Sequence, residues 1–392
     1  MSRGLTALMA AAFVDMLGFA MVFPLLPFYA TRLGASPFTI GILISSFSIA
    51  QLAMSPIWGR VSDHYGRRPV LLVALFASGI AFIVFGLASS VWLLLLSRFV
   101  QGAGGGTTGV VQAYVADSTA PGDRTKALGW LSSATSAGVA CGGAIGSLAV
   151  NISHAAPGFL AAGLCFANML FAWRYLPESR PKLGGPQRSI RSSTWQVLRH
   201  PFAPQPRLIW IYAIAMGAFA AMSSCVALYL HFRFAITEHT IGFVFLYITI
   251  MAVVMRALIL GWLVDRLGET RVMRAGAIIF GIGMAVYTLP DTIWMLALAL
   301  PLVPIGQALL FPAVTALSSH RSDAKEQGQM MGVQQAFGGA ARVVGPIWAG
   351  AAFQGLGPTS PFLIAALIMA VVGVLAFQIP VAARVAEPAP AD

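Results

Sequence analysis

Long apolar runs recur along the whole chain, each about the length of a bilayer-crossing helix and separated from the next by a short polar connection. A helix crosses the hydrocarbon core in about 20 residues. On that measure the pattern predicts twelve segments: Leu5–Tyr29, Phe38–Trp58, Pro69–Ala88, Val91–Ala116, Ala127–Val150, Pro157–Leu176, Leu208–Arg233, Thr240–Val264, Val272–Leu289, Ile293–Ser318, Gly328–Phe353 and Thr359–Ile379. The first carries Asp15, exceeds a signal-peptide core in length and has no small-residue cleavage site after it. It therefore reads as a span and not as a removable leader.

The longest polar stretch, Pro177–Arg207, splits the segments six and six. It predicts a six-helix bundle at residues 1–176, a linker at 177–207 with a surface helix around Ser193–His200, and a second bundle at 208–392. The halves repeat each other. The spacing Gly-x3-Asp-x2-Gly occurs at Gly59, Asp63 and Gly66 after the second segment, and again at Gly261, Asp265 and Gly268 after the eighth. Gly129, Gly142 and Gly146 of the fifth segment correspond to Gly332, Gly345 and Ala349 of the eleventh.

Composition changes the picture from "apolar helices" to "membrane protein". Hydrophobic residues make up 58% of the chain and charged residues 9%. A soluble domain carries roughly 25% charged residues, so a soluble fold of this composition would expose apolar surface it cannot cover. The formal charge of +11 is unevenly placed. Arg32 and Arg233 lie on one side of the predicted membrane, and Arg98, Arg256 and Arg342 lie within segments. The other basic residues crowd the opposite side, in stretches such as Arg60–Arg68 and Arg180–Arg207. That bias predicts cytoplasmic termini in a multi-pass protein of the bacterial inner membrane. Basic residues at the surface also attract anionic lipid. No aromatic platform is interleaved with them, which argues against nucleic acid as a partner. Cys141, Cys165 and Cys225 fall in predicted helices without ligand spacing, so packing is expected and neither a disulfide nor a metal site. No phosphate-binding loop, His-Glu-x2-His or serine elbow is present, which speaks against an enzyme and against ATP coupling in this chain. No cofactor is expected.

Several motifs carry candidate chemistry. Asp15 is the one acid well inside a segment, and it begins the pattern Asp-x2-Gly-x5-Pro-x2-Pro. Ionisable residues within a membrane helix are functional candidates by default, which singles out Asp15, Arg98, Arg256 and Arg342. Gly59–Arg68 combines a turn glycine, Gly66, with Asp63, Arg67 and Arg68. Asp63 is placed to pair with Arg67 or to face a helix N-terminus. The fifth segment holds Gly138, Gly142, Gly143 and Gly146, a spacing that also serves close helix packing alone.

Taken together these motifs resemble the major facilitator superfamily, and within it the drug/proton antiporters of the tetracycline-resistance type. The resemblance extends to Gln51, to Arg98-x2-Gln101-Gly102 and to Leu176-Pro177-Glu178-Ser179. It implies an all-α membrane protein whose twelve helices form two pseudo-symmetric halves around a central cavity. The function it implies is proton-coupled export of amphipathic small molecules by a monomer. Asp15 and Arg98 would couple protons. Gly59, Asp63, Gly66, Arg67, Arg68, Asp117 and Asp265 would form the gate. Gly138, Gly142, Gly143 and Gly146 would form the antiporter motif.

The sequence also departs from that group. Gly143 stands where proline is usual, the third segment has no acid, the eighth no histidine, and the second gate copy has Glu269 and Thr270 where the first has Arg67 and Arg68. Arg256 and Arg342 require a partner in the membrane. Either Asp15 crosses the cavity to one of them or an anionic substrate does, unless Arg256 snorkels to the interface. Gln51, Gln112, Gln307, Gln334 and Gln335 are candidates to add hydrogen bonds to a substrate, and Phe19 an aromatic wall. An alternative reading is a transporter of organic or lipid-like anions. A non-transporting receptor would have no need of buried charge.

Overall fold

A computed structural model describes residues 3–120, 123–179, 190–201, 203–321 and 327–380. Among them every regular element is helical. In the N-terminal half, α1 (Arg3–Val22) and α2 (Leu26–Arg32) make the first span, broken at Phe23–Leu25 around Pro24. They are followed by α3 (Pro37–Tyr65), α4 (Arg67–Gly86), α5 (Val91–Gly105) with α6 (Thr108–Ser118), α7 (Arg124–Ala149) and α8 (Ala156–Tyr175). The linker carries α9 (Ile190–Arg199), where the surface helix was expected.

The C-terminal half runs through α10 (Pro204–Phe234) to a span made of α11 (Ile241–Val254), a π-helical turn (Met255–Ile259) and α12 (Leu260–Leu267). It continues with α13 (Glu269–Val286), α14 (Ile293–Ala299) with α15 (Leu302–His320), α16 (Gln327–Leu356) and α17 (Ser360–Phe377). This is a twelve-span, two-half architecture.

Among the described residues, eight helices are long and apolar enough on their own to cross a membrane. The other spans are α5–α6, α7, α13 and α16. Glycine breaks the first, α13 begins with Glu269, Arg271 and Arg274, and α7 and α16 are rich in glycine and polar residues. Two of these, α7 and α16, face the opposite half, where small and polar residues replace lipid-facing ones.

Local chemistry sets the boundaries. Ser36 starts α3 by accepting from the Thr39 amide at 3.2 Å, with Pro37 in the first turn, where proline's missing N–H costs nothing. The second predicted segment stopped at Trp58, but α3 runs on to Tyr65. The charged motif is therefore helical, because beyond the hydrocarbon the backbone can keep its hydrogen bonds while the side chains meet water. The turn falls on Gly66 alone, at φ +100°. Its repeat partner Gly268 starts α13 at φ +80°, so the internal repeat is visible in the backbone.

The halves meet along two helix pairs, α3 with α16 and α7 with α11. These contacts lie on the side away from the linker. Ser45 Oγ donates to the Val343 carbonyl at 2.7 Å, and Gly350 packs on Pro37. Ser147 Oγ donates to the Glu238 carbonyl at 2.6 Å and accepts from the Gly242 amide at 2.9 Å. Further toward the linker side, Ser55, Pro56, Gly129, Ser132 and Ser133 are exposed. The two halves are thus closed on the far side and open on the linker side.

Candidate functional site

A cavity of about 490 Å³ lies between the halves. From the N-terminal half it takes Met16 and Phe19 of α1, Phe23 of the break after it, Phe47, Ser48 and Gln51 of α3, and Arg98 of α5. From the other half it takes Phe219 and Met222 of α10, Phe245, Thr249 and Arg256 of the eighth span, Gln307 of α15 and Arg342 of α16. The aromatic wall is continuous. Phe19 packs on Phe23 and Phe47 with centroids 5.5 and 5.4 Å apart, and Phe23 meets Phe245 edge-on at 6.3 Å across the halves.

Arg98 is 1% exposed. Its guanidinium lies 4.8 Å from the Phe47 centroid and 5.7 Å from that of Phe19, and it donates to Gln101 Oε1. Arg98 and Gln101 stand three residues apart, on one face of α5. The Arg98 Nε has no partner among the described residues. A desolvated cation over an aromatic face gains about 2 kcal/mol, which offsets part of the roughly 2.5–3.5 kcal/mol that an arginine costs inside the membrane.

Asp15 is placed differently from expectation. Asn168 Nδ2 donates to the Ala11 carbonyl at 2.8 Å, and Gly18 faces Phe82, Ala161 and Cys165. Asp15 shares that side of α1, and its electrostatic neighbour is the Cys165 thiol. It is not part of the cavity wall. Among the described residues it pairs with no arginine, so the expected crossing to Arg342 or Arg256 is not made in this conformation. The reason is helical phase: with 3.6 residues per turn, Met16 and Phe19 take the cavity side, and Asp15 falls at its edge, toward Ala11 and Gly18.

Of the glutamines, Gln51 and Gln307 line the cavity, and Gln51 Nε2 also donates to the Gly105 carbonyl at 3.1 Å. Gln112 and Gln335 do not line it, contrary to expectation: Gln112 is exposed on α6, and Gln335 is taken up by Tyr212. Gln334 is buried on Thr315 Oγ1 at 2.9 Å. Arg256 lies on the cavity wall.

A family model described as Major Facilitator Superfamily matches residues 8–257 and, again, 208–391. The chain belongs to the Major Facilitator Superfamily. It is 27% identical over 339 residues to the class G tetracycline resistance protein of Vibrio anguillarum, covering 85% of this chain and 86% of that protein. It is 28% identical over 371 residues to multidrug resistance protein 2 of Bacillus subtilis (strain 168), covering 93% and 92%. Its fold is similar to that of the nucleoside transporter NupG, with TM-score 0.79, 15% identity, and coverage of 97% and 99%. The chain is a multi-pass membrane transporter and not an enzyme.

In this superfamily chain the motif Gly59–Arg68 forms a relay inside the N-terminal half. Arg67, nearly buried, pairs with Asp63 at 2.6 Å and Asp117 at 3.3 Å and donates to Ser62 Oγ at 2.5 Å. The carboxylate at the α4 N-terminus is Glu178 and not Asp63. It accepts from the amides of Arg67 at 2.7 Å and Arg68 at 3.2 Å, where an anion complements the helix dipole. A Cβ on Gly66 would lie 2.7 Å from Glu178, so glycine is required there by space as well as by φ. Arg68 reaches the Trp173 carbonyl, and Gly59 is open. In the second copy Glu269, at the position of Arg67, meets His320 Nδ1 at 3.2 Å, and Asp265 is exposed. Reversing the charge at that one position replaces the arginine relay.

Gly138, Gly142 and Gly146 pack on the α1 backbone at Phe13, Leu17 and Met21. Gly143, the departure from the antiporter pattern, instead abuts Gly242 of α11 across the halves. The far-side closure contains residues that sequence reasoning missed. Glu238, in the connection before α11, is buried and pairs with Arg32 of α2. His154 Nδ1 and His239 Nε2 stand 3.6 and 3.8 Å from its carboxylate. His239 Nδ1 meets Asn151 Oδ1 at 2.7 Å, and the Tyr29 hydroxyl donates to the His154 carbonyl. The available signal was an acid in a far-side connection of an acid-poor chain, matched by Arg32 on the same predicted side.

Proposed function

We propose that this chain exports amphipathic small molecules from the cytoplasm in exchange for protons, by alternating access. The observation that carries the reading is the aromatic-lined cavity between two repeat-related halves, closed on one side and open on the other. Placing the basic linker in the cytoplasm makes this the cytoplasm-open state, which loads cargo. Relatives named for tetracycline and multidrug resistance support a drug-like cargo. Asp15, the one acid among the N-terminal spans' cores, carries the proton. Arg98, packed over the Phe19 ring one turn from Asp15, senses its charge. Arg67 with Asp63 and Asp117 holds the cytoplasmic ends of α3, α4 and α6 as one body while the halves rock. Gln51, Gln307 and Phe19 contact the cargo, and the transporter works as a monomer in the bacterial inner membrane.

The test is proton flux in proteoliposomes carrying a pH-sensitive dye inside, driven by a panel of amphipathic drugs. Flux that depends on both drug and Asp15 supports the reading. Drug movement indifferent to the proton gradient overturns the coupling.

A further inference from the structure

Every ionised side chain on the cavity wall is a cation. Arg98, Arg256 and Arg342 line it, and among the described residues no carboxylate does. The described acids of the second half lie at its ends: Glu238 and Asp291 on the far side, Asp265 and Glu269 on the linker side. Asp15 lies at the edge of the α1 face that carries Met16 and Phe19, outside the cavity lining. Arg98 is committed to Gln101 and two rings. The other two are not committed. Among the described residues Arg342 has only the Tyr212 hydroxyl as an electrostatic neighbour, and Arg256 has no hydrogen bond or ion pair.

Both are held toward the cavity by their helices. On the eighth span Thr249, Ala252, Val253 and Arg256 line the cavity, at the spacing of one helix face. Arg256 stands in the π-helical turn Met255–Ile259, and such turns occur frequently at functional sites. Arg342 lines the cavity together with Pro346, one turn away. Its neighbour Val343 receives the Ser45 hydroxyl, while Phe47 lies under Arg98. One short stretch of α3 therefore sets Arg98 and Arg342 at a similar depth from opposite halves.

A guanidinium stays charged in the membrane and matches a carboxylate, sulfonate or phosphate by its planar fork. Leucine would line an apolar pocket without that cost. We infer that the cargo is an organic anion, its head group received by Arg342 with Arg256 as the second cation and its flat apolar body against Phe19, Phe23 and Phe219. The inference rests on the transport reading above and adds the sign of the cargo's charge. The cavity's 490 Å³ falls within the roughly 300–1,000 Å³ of drug-sized sites. It holds one small molecule and not a two-chain lipid. A lipophilic cation entering the same space would meet three arginines on the wall, with Asp15 at the edge as the nearest acid of the membrane spans.

The experiment uses pyrene probes that share one body and differ in charge: pyrenesulfonate, pyrenylmethanol and pyrenylmethylammonium, with lysophosphatidate as the lipid arm. Binding to the purified full-length protein is followed by fluorescence, and flux in proteoliposomes by the internal dye. Pyrenesulfonate is expected to bind tighter than the ammonium probe. Arg342→Gln is expected to weaken it about tenfold or more, the loss of a charge-assisted bidentate contact. Arg342→Lys should fall between, and Arg256→Gln should lose less. Pyrenylmethanol binding, which needs no arginine, should persist and reports that each variant is folded. Equal pyrenesulfonate affinity in wild type and Arg342→Gln overturns the inference, as does preference for the ammonium probe. Binding of lysophosphatidate alone overturns the small-molecule assignment. Ammonium-driven proton flux would sink the anion while leaving the exporter reading intact. Arginine-dependent sulfonate binding without proton flux would support the anion and sink the coupling instead.

Discussion

Replacing Glu238 with glutamine should release the far-side closure. The substitution keeps the shape and removes the charge that Arg32 and, when protonated, His154 and His239 address from around it. Arg32 and His154 belong to the N-terminal half and Glu238 to the other, so the pair exists only while the far side is closed. A hydrogen bond to a charged group contributes about 1.5–3 kcal/mol net. The Glu238 side chain is 6% exposed but that of Arg32 is 45% exposed, and solvent screening pulls the value to the lower end. About 1.4 kcal/mol corresponds to a tenfold change in an equilibrium, so the far-closed population should fall about tenfold relative to the far-open one.

Spin labels at Ile152 and Leu289, both exposed on the far side of opposite halves, would report it by pulsed dipolar spectroscopy after replacement of the three cysteines. The expected result is a new or enlarged long-distance population in Glu238→Gln. Arg32→Met should do the same, and the double variant should add little, because either change alone removes the pair. Unchanged distances in both single variants would refute the latch, and full additivity would show that the two residues act separately.

Asp15→Asn should abolish substrate-driven proton flux and leave a folded protein, judged by an unchanged melting temperature; wild-type flux in the variant would remove Asp15 from the coupling role. Asp63→Asn removes the 2.6 Å pair with Arg67, whose acid is 54% exposed. The loss should be no more than about 1 kcal/mol, and because the pair lies within one half and is already made with the linker side open, labels at Tyr65 and Met331 should keep their mean distance; a clear shift would show that Asp63 also acts across the halves. Gly242→Val should favour the far-open state strongly, since even a Cβ there would lie 2.7 Å from Ser147 Oγ. A variant still closed on the far side by the Ile152–Leu289 distance would show that α7 and α11 need not approach so closely.

Much of this transporter was legible in one dimension because a membrane imposes one-dimensional rules. Hydrocarbon thickness sets helix length, unpaired backbone groups are intolerable there, and loop charge sets the predicted orientation. Hence the twelve spans, the linker with its surface helix, the internal repeat at Gly66 and Gly268, and the arginines worth attention were all readable from residue order. What residue order did not carry was which side of a helix faces which neighbour. Asp15 and Phe19 are a turn apart, yet Phe19 is on the cavity wall and Asp15 only at its edge, toward the side of α1 that meets α8 at Ala11 and Gly18. Gln112 and Gln335 looked like cavity residues and are not, while Arg256, open to a snorkelling interpretation, is one. The π-helical turn beneath Arg256 has no period to betray it. Glu238 was overlooked because its meaning depends on Arg32 and His154, distant in sequence and brought to it only when the two halves close. Spans follow from local solvation along the chain, whereas the cavity and its closure follow from how two separately assembled bundles meet, which only the tertiary structure decided.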